Sequence, residues 1–273
     1  MACSPEPCWV TRCCSIVARR GRPWPWKTDA VTGAASGFGA AIAERMARAG
    51  ATVMLADLNL AGAQAQAQRI ADGGLQAQAI ACDVSRADDF KSLVEHTRAR
   101  MGGLHVLVNN AGTTHRNKPS LEVTEAEFDR VWQVNVKSLY WSVQSVMPHF
   151  IQQGSGAMIN VASTTGVRPG PGLVWYSGTK AAMINLTRGL ALEHARFGIR
   201  VNAVNPMIGE TAMLEQFMGM PDTPQNRERF LSRIPLGRFT RPNDVASAVT
   251  FLASDEADYL TGVCLDVDGG RNI

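Results

Sequence analysis

The sequence contains no long apolar run and little charge of either sign. No stretch of about 18 consecutive apolar residues occurs, so no membrane-spanning helix is predicted. Charged residues make up 19% of the chain, and the formal net charge is +3. Residues 1–28 hold five Lys or Arg and one acid, so this segment contributes +4 and the remaining body carries about −1. The body lacks a basic surface, and we expect neither a nucleic-acid nor a membrane partner.

Cysteine is nearly absent from the body of the chain. Four of the six cysteines lie within the first 26 residues, namely Cys3, Cys8, Cys13 and Cys14. Their spacing matches no zinc or haem signature, so no metal site is predicted. The other two, Cys82 and Cys264, lie in apolar strand-like runs and are interpreted as core residues. This usage is typical of a reducing compartment, and we expect a cytoplasmic protein.

The first 26 residues also lack a periodic apolar pattern, although three of the six tryptophans lie there. Their apolar stretch is short and interrupted by arginines, so a cleavable secretion signal is not indicated. The arginines would suit an organelle transit peptide, but the tryptophans would not. We interpret residues 1–26 as a disordered or aberrant extension.

From Lys27 onward, short apolar runs alternate with helical patterns, and no repeat or linker divides the chain. The runs predict strands near 29–32, 52–56, 79–82, 104–108, 157–162, 199–204 and 263–267. The patterns between them predict helices near 37–49, 60–71, 86–101, 124–150, 174–196 and 242–253. Strict alternation indicates βαβ units. The predicted fold is therefore α/β: a single doubly wound Rossmann-type domain over 27–273, with a parallel sheet of about seven strands covered by helices on both faces.

The turn after the first predicted strand has the sequence T-G-A-A-S-G-F-G. It places Gly33, Gly37 and Gly39 between a strand and an alanine-rich helix. Glycines at such a turn permit a close approach of the backbone to a pyrophosphate, which N–H groups at the helix N-terminus would bind. The spacing departs from G-x-G-x-x-G, so the motif alone is weak evidence for a dinucleotide site.

Asp57 closes the second predicted strand, where an acidic residue is expected to bind the hydroxyls of an adenosine ribose. A carboxylate there would repel a 2′-phosphate by about 4 kcal/mol per pair of unit charges at about 4 Å and an effective dielectric near 20. No Lys or Arg lies in 33–39 or 58–61 to offset this repulsion. The sequence therefore predicts NAD rather than NADP. The alternative is that Asp57 only caps the next helix.

Polar residues follow further strands, at the edge where such sheets bind ligands. Asp83 ends the third strand and is a candidate for contact with adenine, with a helix N-cap as an equally good alternative. The N-N-A-G segment at 109–112 follows the fourth strand and provides side-chain amides and a backbone free to approach a cofactor. Asn135 interrupts an apolar helix face, where it must be hydrogen-bonded if buried.

Tyr176 and Lys180 lie four residues apart in Y-S-G-T-K, which on a helix places a phenol and an ammonium on one face. A free tyrosine has a pKa of about 10, and an adjacent cation favours its phenolate. Ser163, on the preceding loop, is placed to donate a hydrogen bond to a substrate oxygen. The arrangement suits proton transfer to or from an alcohol or carbonyl. Alone, Y-x-x-x-K more often marks a tyrosine beside a solvated lysine.

Together, T-G-A-A-S-G-F-G, N-N-A-G, N-V-K-S, Ser163, Y-S-G-T-K and N-P-M-I-G-E-T resemble the short-chain dehydrogenase/reductase family over residues 27–273. The resemblance implies an oxidoreductase that transfers a hydride between NAD(H) and a secondary alcohol or ketone, such as a 3-oxoacyl or sugar substrate. It also implies a homotetramer with two long helices at the interface. The competing hypothesis is a catalytically silent dinucleotide-binding sensor or oligomer partner.

The resemblance further implies a catalytic tetrad of Asn135, Ser163, Tyr176 and Lys180. In it Tyr176 is the acid/base, Ser163 holds the substrate oxygen, Lys180 lowers the tyrosine pKa and binds the nicotinamide ribose, and Asn135 orders a water. With the residues argued above, the predicted cofactor-binding set is Gly33, Ser36, Gly37, Phe38, Gly39, Asp57, Asp83, Val84, Asn110, Ala111, Gly112, Tyr176, Lys180, Pro206, Ile208 and Thr211.

Substrate choice is expected to reside in residues 207–235, where Met213, Leu214, Phe217 and Met218 give a helix one apolar side. A methionine-rich face suits either a lid over a ligand or simple packing onto the body. Arg168 is a candidate partner for an anionic substrate, with a solvated loop arginine as the alternative. His115, Arg116 and Trp175 are also expected near the cleft.

The first strand departs from the family pattern, because Asp29 occupies a position where an aliphatic residue is expected. A strand in the middle of a sheet is covered on both faces, so this carboxylate is predicted to be buried. Burying a carboxylate is costly, and we expect Asp29→Val to raise the melting temperature and deletion of residues 1–25 to cost little.

Overall fold

The computed structural model describes residues 27–273, and the predicted extension over 1–26 lies outside the described residues. All seven strands of this part of the chain are parallel and form one sheet of order β3-β2-β1-β4-β5-β6-β7. The strands are β1 (Thr28–Thr32), β2 (Thr52–Asp57), β3 (Ala77–Ala81), β4 (Val106–Asn109), β5 (Gly156–Val161), β6 (Ile199–Pro206) and β7 (Cys264–Val267). The predicted doubly wound α/β sheet is confirmed.

The helices that cover the sheet are α1 (Gly37–Ala49), α2 (Leu60–Asp72), α3 (Ala87–Met101), α4 (Glu125–Trp132), α5 (Ser138–Gln153), α6 (Val174–His194), α7 (Leu214–Met218), α8 (Pro224–Leu231) and α9 (Pro242–Ala253). Alternate residues of β1 face opposite cores, since Val31 belongs to one and Ala30 to the other. Buried residues of α1, α2 and α9 complete the first core, and those of α3, α5 and α6 the second. The apolar strands are thus buried on both faces, which explains their nearly continuous hydrophobic sequence.

The strand order reverses between β1 and β4. From β1 the chain continues outward to β2 and β3, whereas β4 starts the other half of the sheet on the opposite side of β1. In open parallel sheets the crevice at such a reversal, beyond the carboxyl ends of the strands, is where ligands bind. The glycine turn after β1 and the N-N-A-G segment after β4 both lie at this point.

The long helix predicted over 124–150 is interrupted. Between α4 and α5 the residues Gln133–Lys137 form a π-helical turn, in which one additional residue is accommodated. Helix α4 begins with a capping box, because Thr124 accepts from the Glu127 amide and the Glu127 carboxylate accepts from the Thr124 amide. The prediction of one continuous α-helix was wrong at the π-turn, which contains Asn135.

Asp29 lies in the middle of β1 and is fully buried, as the sequence predicted. The effect of its carboxylate on stability stays a prediction.

Among residues 27–273, no helix combines the length and apolar character needed to cross a bilayer. The same residues contain no cluster of His, Cys, Asp and Glu arranged to hold a metal ion.

Candidate active site

The turn between β1 and α1, residues 33–39, is tightly packed, and we call it the glycine cradle. Gly33 has φ +65° and Gly37 has φ +57°, a region that side chains with a Cβ rarely adopt. A Cβ on Gly33 would lie 2.8 Å from the Cα of Ala111, and a Cβ on Gly39 would overlap the carbonyl oxygen of Gly33. The first N–H groups of α1 have no partner within the helix, as at every helix start. They are therefore available to an anion such as a pyrophosphate.

Asn110 and Thr32 hold this turn in place. The Asn110 amide nitrogen donates to the carbonyl oxygens of Thr32 (2.8 Å) and Gly33 (3.0 Å). In return, the Thr32 hydroxyl accepts from the backbone N–H groups of Asn110 and Ala111, each at 3.1 Å. The loop after β4 is thus fastened to the turn after β1, and the amide of Asn110 acts on the backbone of the cradle.

Asp57, at the end of β2, lies beside the same turn. Its carboxylate accepts from the backbone N–H of Ala35 (2.9 Å) and of Asn59 (2.8 Å). It is Asn59 whose side chain caps α2, accepting from Gly62, so the alternative of Asp57 as the cap is wrong. Each carboxylate oxygen retains acceptor capacity, because an ionised carboxylate offers about four lone-pair sites. The half-buried Asp57 can therefore also accept from ribose hydroxyls.

Asp83 forms a local turn after β3. Its carboxylate accepts from the backbone N–H of Ser85 (2.9 Å) and from the Ser85 hydroxyl (2.6 Å), while its own N–H donates to Asp89 (2.8 Å). The residue at the N-cap of α3 is Arg86, so Asp83 does not cap this helix. Asp83 and Val84 line a large cavity whose wall also includes Tyr176 and Lys180, and which we call the main cavity.

Ser163 and Tyr176 lie together beyond β5, and both are buried. The Ser163 oxygen accepts from the Thr165 N–H (3.2 Å) and from the Thr165 hydroxyl (3.1 Å). Because a hydroxyl has two acceptor positions and one hydrogen, the Ser163 hydrogen remains free to be donated. A phenol or a substrate oxygen beside it can receive this hydrogen bond.

Burial is the largest influence on the Tyr176 hydroxyl and raises its pKa, while the hydrogen bond with Ser163 lowers the pKa. The Lys180 ammonium lies 5.8 Å from the centre of the Tyr176 ring. In the protein alone, therefore, the phenol is held in its neutral form. A second positive charge beside the phenol is needed for the phenolate to be favoured near neutral pH.

Lys180 is buried one helical turn after Tyr176, on α6. Its ammonium donates to the carbonyl oxygen of Val161 at 2.8 Å, which leaves two further hydrogens available. Burial lowers the pKa of Lys180 to about 8. A Cβ on Gly112 would lie 3.5 Å from the ammonium, so the absence of a side chain there keeps the lysine accessible from the cavity.

Asn135 lies behind this group and is fully buried. Its amide oxygen accepts from the Thr113 N–H (2.9 Å), and its amide nitrogen donates to the Thr113 carbonyl (2.9 Å) and the Thr179 hydroxyl (3.0 Å). The side chain thus ties the loop after β4 to α6. The hydrogen bonding that the sequence requires of a buried Asn is present, and its partners are the Thr113 backbone and the Thr179 hydroxyl.

A single cavity of about 880 Å³ connects these groups. Among the predicted site residues, its walls include Gly33, Ser36, Gly37, Phe38, Asp57, Asp83, Val84, Asn110, Ala111, Gly112, Ser163, Tyr176, Lys180, Pro206, Ile208 and Thr211. Gly39 and Asn135 do not line the cavity, but each contacts a residue that does, Gly33 and Thr113 respectively. Of the four residues expected near the cleft, Arg168 lines this cavity, whereas His115 and Arg116 line a separate, smaller one. Trp175 lines neither of the two, and its indole N–H donates to the Ser120 carbonyl at 3.3 Å.

A small apolar helix closes the substrate end. Phe217 of α7 packs edge-on against the Tyr176 ring, with 5.2 Å between ring centres. Asn117 fastens this helix, since its side chain donates to the Phe217 carbonyl (3.0 Å) and its N–H donates to the Gln216 carbonyl (2.9 Å). Asn117 could not be identified from the sequence, because its partners lie about a hundred residues away in the chain.

Comparison with known proteins finds relatives that match most of the chain. The family model described as enoyl-(acyl carrier protein) reductase matches residues 33–272. The chain is 71% identical over 243 residues to 4-formylbenzenesulfonate dehydrogenase of Comamonas testosteroni, covering 89% of this chain and 96% of that protein.

Two solved structures extend the comparison. A 3-ketoacyl-(acyl-carrier-protein) reductase from Brucella melitensis complexed with NADH has a TM-score of 0.85 and 41% identity, covering 91% of this chain and 99% of that one. A protein from Beutenbergia cavernae described as an NAD(P)-dependent gluconate 5-dehydrogenase, with bound NADP, has a TM-score of 0.84 and 35% identity, covering 91% and 98%. These relatives thus bind NADH or NADP.

Proposed function

The chain belongs to the short-chain dehydrogenase/reductase family, and from this premise we propose that it transfers a hydride between NAD(H) and an aromatic aldehyde or alcohol that carries an anionic group. Membership makes it a nicotinamide-dependent oxidoreductase. The alternative of a catalytically silent protein has no support, since the relatives described above are dehydrogenases and reductases. The proposal is carried by one observation: Ser163, Tyr176 and Lys180 open into the same cavity as the glycine cradle and Asp57.

The residues present fit a nicotinamide dinucleotide. The glycine cradle and the start of α1 suit the pyrophosphate, Asp57 the adenosine ribose, and the remaining Lys180 hydrogens the second ribose. When bound, the nicotinamide supplies the hydride acceptor or donor. Burial raises the pKa of Tyr176, so release of its proton would be favoured by a positive charge beside the phenol.

The chain's own residues handle the proton. In oxidation, Tyr176 acts as the phenolate, which Lys180 stabilises, and takes the proton from the substrate oxygen while Ser163 donates a hydrogen bond to that oxygen. In reduction, the Tyr176 phenol gives its proton to the substrate oxygen and becomes the phenolate. An alcohol yields a carbonyl; an aldehyde reacts as its hydrate, so one water is consumed and the products are a carboxylate, NADH and protons. The assignment of a water-ordering role to Asn135 stays a prediction.

The substrate class is supported by likeness and by the cavity. The relative from Comamonas testosteroni, with 71% identity, is named for an aromatic aldehyde bearing a sulfonate. At the substrate end of this cavity, Leu173, Phe217 and Met218 provide an apolar wall against which an aromatic ring can pack. The 3-oxoacyl and sugar substrates expected from the family in general lack an aromatic ring to pack against this wall.

A substrate panel tests the proposal. The purified chain is incubated with NAD and, separately, 4-formylbenzenesulfonate, benzaldehyde, the corresponding benzylic alcohols and aliphatic secondary alcohols, and NADH absorbance is recorded. We expect turnover of the aromatic compounds, with the highest kcat/KM for the sulfonate. Absence of NADH formation with every aromatic compound, while an aliphatic alcohol is oxidised, would overturn the proposed substrate class. The Tyr176→Phe variant, assayed in the same way, gives the background rate of NADH formation.

Preference for NAD over NADP is proposed on the ground of Asp57. The double variant Asp57→Ser/Leu58→Arg removes the repulsion of a 2′-phosphate and adds a phosphate partner at a position that is 76% exposed. We expect the ratio of kcat/KM for NADP to that for NAD to rise about a hundredfold. Leu58→Arg alone, in which the carboxylate is retained, should shift the ratio much less. Faster turnover with NADP than with NAD by the unmodified protein would contradict this reading.

A cytoplasmic homotetramer also stays a prediction. Support for self-association comes from an apolar hollow along α5 and α6, whose wall includes Tyr140, Val143, Leu186 and Leu190. Tyr140 and Leu186 are 49% and 41% exposed in the single chain, which is unusual for large apolar side chains that lie on one continuous surface.

A further inference from the structure

The two ends of the main cavity differ in charge. Its only acidic wall residues among residues 27–273 are Asp57 and Asp83, and both lie at the end where the adenosine would bind. The opposite end is lined by Arg168, Arg233 and Arg271, which we call the arginine cluster. The field in this part of the cavity is therefore positive and would attract an anionic group.

The three arginines come from distant parts of the chain that the fold joins. The Arg168 guanidinium donates to the carbonyl oxygen of Arg271 at 3.3 Å. The segment that follows Arg233 packs on the segment before Arg271, since the Leu236 N–H donates to the Gly269 carbonyl at 3.1 Å. The cluster is thus built by tertiary contacts that bring three like charges to one rim.

No carboxylate neutralises this cluster within the part of the chain that the structure describes. The adjacent acid, Asp268, forms no ion pair with the cluster, and its two oxygens accept from the backbone N–H groups of Gly270 (2.9 Å) and Asn272 (2.8 Å). Three guanidinium groups without an acidic partner repel one another. An anion placed among them would relieve this repulsion and could be bound by paired N–H groups.

The cluster is also fixed relative to the reacting group. The Arg168 N–H donates to the Thr164 carbonyl at 2.8 Å, and this bond holds the backbone of Arg168 on the loop that begins at Ser163. Phe217 packs against the Tyr176 ring, and Phe217 and Met218 line the same cavity as the three arginines. The proton donor, the apolar wall and the arginine cluster therefore share one cavity.

We infer that the arginine cluster is the subsite that binds the anionic group of the substrate, at the end of the aromatic ring opposite the reacting carbon. This inference rests on the proposed function and adds to it the residues that select a sulfonate or carboxylate over an uncharged ring. Arg168 is the central member, because its guanidinium contacts the segment of Arg271 and its backbone is bonded to the loop of Ser163.

The test is the ratio of kcat/KM for 4-formylbenzenesulfonate to that for benzaldehyde. In Arg168→Gln, Arg233→Gln and Arg271→Gln we expect this ratio to fall by roughly tenfold to a hundredfold, mainly through KM for the sulfonate. The matched control is Arg69→Gln on α2, an exposed arginine outside the cavity, which removes the same charge from the protein. An unchanged ratio in all three cluster variants, or an equal fall in Arg69→Gln, would overturn the inference.

A binding experiment separates this inference from the proposed function. Benzenesulfonate, which has no reacting carbon, is titrated calorimetrically into the wild type and Arg168→Gln, each saturated with NAD. Binding to the wild type that weakens at least about tenfold in Arg168→Gln supports the subsite even if no aldehyde is oxidised. Equal binding to both proteins, or none to the wild type, refutes the subsite, whereas the proposed oxidation of aromatic substrates is decided separately by the NADH assay.

Discussion

Replacing Tyr176 by phenylalanine is expected to lower kcat about a thousandfold while leaving the Kd for NAD nearly unchanged. Only the hydroxyl that transfers the proton is removed, and the ring keeps its contact with Phe217. Activity is measured as NADH formation under saturating substrate, and Kd by fluorescence titration with NAD.

The matched control for this variant is Tyr259→Phe, since the Tyr259 side chain is 98% exposed. It should behave as the wild type in both measurements. Residual activity of Tyr176→Phe above about a tenth of the wild type would show that another group transfers the proton. A loss of NAD affinity parallel to the loss of kcat would instead indicate a disturbed site.

Gly39→Ala should lower the free energy of unfolding by about 3 kcal/mol and weaken NAD binding. The added Cβ overlaps the Gly33 carbonyl, which is backbone and is itself bound by the Asn110 amide. Neither group can move without opening the cradle. For a chain of this size, the loss corresponds to a fall in melting temperature of roughly 6–12 °C.

Gly189→Ala is the matched control, because a Cβ at Gly189 on α6 meets nothing within 4 Å. In a helix interior this change should raise stability by up to about 1 kcal/mol. Melting curves of both variants with and without NAD provide the comparison. If Gly39→Ala melts at or above the wild-type temperature, the glycine cradle accommodates the added methyl group at a lower cost in stability than its contacts indicate.

The alternation of strands and helices could be predicted because each signal is local. Strands β1 and β2 are buried on both faces, and α1 begins immediately after the glycine turn, so their limits agreed with the sequence to within about two residues. The order of the motifs along such a fold then places Asp57, Ser163, Tyr176 and Lys180 around one crevice.

Features that depend on distant partners could not be predicted in this way. The π-turn at Gln133–Lys137 has no local signal, since Asn135 is held by Thr113 and Thr179 from other elements. Likewise, Arg168 and Arg271 are 103 positions apart, and nothing in either neighbourhood points to the other. Asn110 was expected to bind the cofactor, and its amide nitrogen is directed at the backbone of the glycine turn, a partner that the sequence did not indicate.

The fastening of α7 by Asn117 has a consequence for attempts to broaden the substrate range of this enzyme. A Cβ on Gly172 would overlap the Asn117 side chain, and one on Gly219 would lie 2.7 Å from the Asn117 carbonyl oxygen. These three positions are mutually dependent, so libraries that vary any one of them alone will mostly yield misassembled pockets. Randomisation is better directed to Met213, Met220 and Phe230, which line the cavity without taking part in this junction.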